Sequence, residues 1–252
     1  MNLRAVACLL IACCLSPHAI AEPLPPHLVM LIAEREYETE KTLPKFAEQH
    51  LQKAFRTSLV FADKEDRNTL VGSEAIRDAD VLLVSVRRRA LPKSQLKLIR
   101  DHVAQGKPVI GIRTANHAFA LRNEASPPGH DQWLAWDREV FGGNYSGHYK
   151  DTLITTVTIR NDNSIPATLL SDIKTESFVS RGSLYKVAPL ADGAVVLMDG
   201  KVEGQGSEPI AWTFTRADGG KSFYTSLGYR DDFAAEVLPQ LLLNAIHWSL
   251  EK

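Results

Sequence analysis

Hydrophobic and polar positions alternate in blocks along the first half of the chain. His27–Ala33 (HLVMLIA) is an unbroken apolar run bounded by prolines and charges, the pattern of a strand buried on both faces. Thr57–Ala62 (TSLVFA), Asp80–Val86 (DVLLVSV) and Pro108–Ile112 repeat that pattern. Between them, residues 42–55 carry Leu43, Phe46, Ala47, Leu51 and Ala54 at helical spacing, with Pro44 in an expected first turn. Ser73–Arg77 reads as a short helix capped by Ser73. Residues 94–105 form an amphipathic helix with Leu96, Ile99, His102 and Val103 inward and Gly106 at C′. Strands alternating with helices at this spacing predict a parallel, doubly wound α/β sheet.

The pattern changes after about residue 120. A polar loop (122–132) leads to a short helix over 133–141 and a glycine-rich loop over 142–148. Further strands are expected at 151–159, 194–198, 210–215 and 222–226, with turns at Asp199-Gly200 and Gly219-Gly220. Phe233–Leu250 closes the chain as a helix. No repeat and no long linker divides it, so 28–252 is expected to be one domain behind an extended lead, 22–27.

The N-terminus has its own signature. Asn2 and Arg4 precede an apolar run, Ala5–Leu15, and Ala19-Ile20-Ala21 supplies an A-x-A cleavage site. Residues 1–21 are expected to be a signal peptide, with export to the periplasm or the exterior; the run is too short to span a membrane. Leu10–Cys13 also has a small-residue-then-cysteine pattern, so a lipid anchor at Cys13 is the second reading. All three cysteines, Cys8, Cys13 and Cys14, lie here, and a chain cut after Ala21 has neither disulfide nor thiolate chemistry. A net charge of -1 gives no support for nucleic-acid binding.

In open α/β sheets ligands bind outside the carboxyl ends of the strands. Glu34 and Glu36 follow the first such strand, Arg87, Arg88 and Arg89 the third, Arg113, Thr114, Asn116 and His117 the fourth, and Arg230 and Asp231 the last. The arginines can hold a carboxylate, a phosphate or sugar hydroxyls, or pair with the acids in a structural network. Thr114 reads first as a cap, since a threonine nucleophile needs an adjacent base. His117, His148 and Asp137 are candidates for acid–base work. Tyr145, Tyr149, Trp133 and Trp136 form either a sugar-stacking wall or core. A divalent metal lacks a local ligand motif, so no cofactor is expected. Sequence leaves the oligomeric state open.

Three segments carry a resemblance: residues 79–120 (ADVLLVSVRRR through GIRTANHAFA), WDREVFGGNYSGHY, and residues 208–252 (EPIAWTFTRADGG through the C-terminus). Across the mature chain they resemble the ThuA-like (trehalose-utilisation) family of the class I glutamine-amidotransferase-like superfamily. The resemblance implies a flavodoxin-like, mostly parallel sheet with extra strands in the C-terminal half. It implies a carbohydrate-type small-molecule ligand. True amidotransferases place a cysteine nucleophile after strand four; here Arg113 begins that turn and no cysteine follows residue 14, so glutaminase activity is not expected. The family often has histidine at the places of Arg113 and Tyr229, so the resemblance implies a divergent subgroup or the loss of part of whatever chemistry those histidines carry. The competing expectation is a non-catalytic binding or protein-interaction domain that keeps the fold.

Overall fold

The computed structural model describes residues 24–251 except residue 53; the expected signal peptide, residues 1–21, and all three cysteines lie outside the described residues. Ten strands form one sheet. In chain order they are β1 (His27–Ala33), β2 (Arg56–Ala62), β3 (Leu70–Val71), β4 (Val81–Val86), β5 (Val109–Ile112), β6 (Thr155–Ile159), β7 (Ser177–Ser180), β8 (Ala194–Lys201), β9 (Ser207–Thr215) and β10 (Lys221–Thr225). The main helices are α1 (Thr39–His50), α2 (Lys93–Ala104) and α3 (Val237–Leu250).

The order across the sheet is β7-β6-β8-β9-β10-β5-β4-β1-β2-β3. The run β2-β1-β4-β5-β10 is parallel. Counting only these five strands, the order is the flavodoxin-like 2-1-3-4-5, with its switch point between β1 and β4. The strands from β9 outward to β7 pair antiparallel and extend the sheet on the β10 side.

Every residue of β1 and β4 is buried, because helices cover both faces. Leu28, Met30 and Ile32 pack with Leu43 and Phe46 of α1 and Leu241 and Leu242 of α3. Val29, Leu31 and Ala33 face the other way, toward Leu96 and Ile99 of α2 and Trp136. Trp133 and Trp136 are buried, so the core reading holds for both. α2 ends in a Schellman motif: Gly106 takes φ 71, its N–H donates to Val103, and the Lys107 N–H donates to His102.

Several local expectations are corrected. α1 starts at Thr39, so Pro44 stands in the second turn. The missing bond falls at Glu40, which is exposed to water. Ser73 is not a cap; Gly72, at φ 80, precedes that 3₁₀ turn and no side chain caps it. Residues 133–141 yield only a π-type turn, Asp137–Phe141, stopped by Gly142 at φ 64. Asp199-Gly200 is strand, not turn. A Cβ on Gly200 would stand 2.5 Å from Ile210 Cδ1, so glycine is there for close approach.

Candidate functional site

β5 ends in an elbow. Arg113, in the place of an amidotransferase cysteine, has φ 46, a left-handed conformation rare for a side chain of this size. It is not offered to solvent. The guanidinium is buried, donating through Nη1 to the Ser226 carbonyl (2.7 Å) and through Nη2 to Ser183 Oγ (3.1 Å). Its carbon lies 4.1 Å from the Tyr37 ring centre and 4.8 Å from that of Tyr185, so two aromatic faces hold the cation. Gly182 admits this packing, since a Cβ there would stand 2.8 Å from Nη1. Arg113 therefore plugs the elbow.

The residues beyond it are equally enclosed. His117 Nδ1 lies 2.6 Å from Asn116 Oδ1, which makes Nδ1 the donor and leaves Nε2 unprotonated. The imidazole stacks on Tyr145 at 4.5 Å. Burial, then the charges of Arg88 and Arg87, push its pKa down to about 2, so it is neutral and a poor proton acceptor at pH 7. Thr114 does not cap the following turn; its hydroxyl is buried without a hydrogen-bond partner among the described residues, as is Asn116 Nδ2.

Asp137 lies beneath Tyr145, whose N–H donates to Oδ2 at 2.8 Å. Its Oδ1 is buried without a partner among the described residues, and burial pushes the pKa up to about 7. His148 is exposed, its Nδ1 bonded to the Tyr149 carbonyl, with its ring 6.2 Å from that of Tyr185. His117 lies 6.1 Å from the same tyrosine. The structure thus gathers His117, His148 and Asp137 around Tyr145 and Tyr185, but no hydrogen bond among the described residues links them as a relay.

The open space is next door, at the carboxyl ends of β1 and β4. A cavity of about 410 Å³ is lined by Glu34, Arg35, Glu36, Arg67, Arg87 and Arg89. Glu34 was a candidate ligand-binding residue, but its carboxylate is committed inward. It accepts the N–H groups of Glu36 (2.7 Å), Tyr37 (2.9 Å) and Thr39 (2.9 Å) and the Thr39 hydroxyl (2.6 Å). It thereby shapes the β1–α1 loop and caps α1 from a distance, in place of the uncapped Glu38. Glu36 pairs with Arg87 Nε at 2.7 Å, both partly exposed.

The three consecutive arginines diverge. Arg87 and Arg89 line the cavity. Arg88, at φ 50, turns aside and donates to the Ala120 carbonyl at 3.2 Å. Arg89 is only 4% exposed; burial, then Arg67, Arg35 and Arg87, lower its pKa to about 10. It remains charged at pH 7.

Arg230 and Asp231 stand apart. They form an exposed pair at 3.6 Å and border two other clefts. The neighbouring Asp232 is the buried acid, accepting Ser180 Oγ and the N–H groups of Gly228 and Tyr229. Burial raises its pKa. Sequence reasoning missed Arg67, which enters from the β2–β3 turn, and Tyr185, from a two-residue strand paired with Gly147-His148. Neither carries a local motif. Among the described residues no three His, Asp or Glu side chains stand together as metal ligands. No described helix is long and apolar enough to cross a membrane.

Comparison with known proteins agrees with this architecture. No curated protein matches the chain. A solved structure described as a ThuA-like protein from Bacteroides uniformis ATCC 8492 is similar at a TM-score of 0.62 and 16% identity, over 94% of this chain and 96% of that one. A second, from Parabacteroides merdae ATCC 43184, has a TM-score of 0.62 and 13% identity, over 91% and 93%. These likenesses establish the fold. The family described as ThuA, trehalose utilisation, matches residues 29–249, nearly the whole described chain. With the flavodoxin-like core, the elbow after β5 and that match together, the chain belongs to the ThuA family.

Proposed function

We propose that this chain is an exported domain that acts on or binds a small carbohydrate-type ligand in the crevice at the carboxyl ends of β1 and β4, without glutaminase chemistry. The observation that carries the reading is the 410 Å³ cavity at the switch point, lined by charged hydrogen-bonding groups. The family's description, trehalose utilisation, supports a sugar-like ligand. The Ala19-Ile20-Ala21 site behind an apolar run supports export. The absence of cysteine after residue 14 rules out a thiolate nucleophile in the described chain.

A second reading, a binding or interaction domain with no turnover, is favoured by one feature. The elbow is filled by Arg113 between Tyr37 and Tyr185. A thermal-shift panel of neutral sugars and sugar acids, run alongside product analysis, separates the two. Stabilisation with turnover that is lost in the H117A/H148A double variant supports an enzyme. Stabilisation with no product supports the binding domain. No shift with any sugar removes the carbohydrate reading.

A further inference from the structure

The charge arrangement of the cavity is more demanding than a neutral sugar requires. Four of its six lining residues are arginines. Of the two acids, Glu34 spends both oxygens on its own loop, and Glu36 is paired with Arg87. Among the described residues no carboxylate forms an ion pair with Arg35, Arg67 or Arg89. Arg35 and Arg67 are exposed at the rim, whereas Arg89 is 4% exposed and its Nε has no partner among the described residues. The backbone around Arg89 is fixed, its own N–H donating to the Ala118 carbonyl at 2.7 Å, so the base of that side chain is held in place. A buried cation without an ion-paired carboxylate is normally disfavoured, and the Glu34 charge offsets only part of the burial. Here its like-charged neighbours add to that cost.

We propose that this cavity is an oxyanion site that takes a tetrahedral group with three free oxygens, the dianionic phosphate ester or the monoanionic sulfate ester, on Arg35, Arg67 and Arg89. Arg89 forms the floor, and Arg87 stays on Glu36. Three guanidiniums without an ion-paired carboxylate present more donors than the two oxygens of a carboxylate can accept. A phosphate ester offers about two charges and three free oxygens to the same donors. The volume of about 410 Å³ leaves room for the organic part of a small ester beyond the anion. The proposal rests on the carbohydrate reading for that organic part but not for the anion.

Calorimetric titration of the mature chain with inorganic phosphate, inorganic sulfate, a hexose, a hexose phosphate and a hexose sulfate tests it. The titration belongs at about 10 mM ionic strength, where exposed charges are least screened. Saturable binding of the inorganic anions is expected, weakened at least about tenfold in R35Q/R67Q. R89K keeps the charge but loses the planar fork, and is expected to weaken binding similarly. Arg35 and Arg67 are exposed, so their double variant reports even where R89K fails to fold. No saturable heat with any of the anions overturns the proposal, as does unchanged affinity in R35Q/R67Q. Binding of neutral hexose with no preference for its esters sinks the anion site and leaves the carbohydrate reading intact. Equal affinity for inorganic anions and hexose esters sinks the carbohydrate reading and leaves the anion site. A preference between the phosphate and sulfate esters assigns the source of the anion.

Discussion

Removal of the Glu34 carboxylate tests whether this side chain builds the cavity or meets its ligand. In Glu34→Ala, four donors lose their acceptor. The N–H groups of Glu36 and Tyr37 are partly exposed and regain water. The Thr39 N–H and hydroxyl are buried, and a buried donor left without an acceptor costs about 1–3 kcal/mol. The hydroxyl recovers part of this because Ser85 Oγ lies 2.9 Å away and the pair can reverse direction. The expected loss is therefore about 2–4 kcal/mol, read as a shift in the urea midpoint at unchanged slope. Glu36→Ala is the control: its ion pair with Arg87 is partly exposed and worth at most about 1 kcal/mol. If Glu34→Ala stays within about 0.5 kcal/mol of the parent, the loop-organising role is wrong. A variant that keeps its stability but loses ligand would return Glu34 to the binding residues.

Asp137 gives a pH signature. Its folded pKa of about 7 lies above the ordinary 3.8, so the stability of the native state is greatest below pH 4 with respect to this group and falls as pH rises through 7. Asp137→Asn should flatten that part of the profile, and a parent-like decline in the variant's melting temperature between pH 5 and 8 would count against it. His117 and His102, lowered to about 2 and about 4, stay neutral in the fold while their unfolded counterparts protonate below about 6.5, so both make the protein less stable toward acid. Nitrogen-15 NMR at pH 5.5 should show two unprotonated imidazoles, with His117 as the Nδ1–H tautomer; an ordinary titration midpoint for His117 contradicts its burial. At Arg113, both Gly and Ala lose the aromatic sandwich, but Gly tolerates φ 46. Arg113→Gly should be more stable than Arg113→Ala by about 1 kcal/mol in denaturant unfolding, and equal stabilities would mean the elbow backbone relaxes.

β1, β4 and β5 were legible because they are covered on both faces and read as unbroken apolar runs, whereas β2, largely exposed or half-buried, was legible from its apolar composition alone. β1 matches its expected bounds, and β4 and β5 each start one residue later than expected. Gly106 marked the end of α2 through the left-handed conformation that a Schellman motif needs. The antiparallel extension was harder. β7 is an edge strand (SFVS) whose Val179 is 60% exposed, so burial imposes no pattern on it. Gly200 mimicked a turn because steric demand and turn geometry select the same residue. The carboxyl-end rule located the arginines and the elbow. It did not tell which of Arg87, Arg88 and Arg89 enters the cavity, because alternation stops where the strand stops and Arg88 leaves it at positive φ. Nor did it reveal that the aromatics close the elbow, since Tyr37 and Tyr185 reach Arg113 from segments far apart in sequence.

The pairing of β10 with β5 has a kinetic consequence. It joins Val109 to Ser222 across the whole intervening excursion, which holds the antiparallel strands. Arg216, buried at the β9–β10 hairpin, fastens that junction: it donates to Lys107 O at 2.8 Å, to Lys221 O at 3.0 Å and to Ser222 Oγ at 2.9 Å. Long-range parallel pairing is slow because its chain closure precedes its reward. During synthesis β5 therefore stays an open edge until more than four-fifths of the 252 residues have been made. That exposed edge is a place for chaperone capture or mispairing, and a chain ending before Lys221 is expected to aggregate rather than fold.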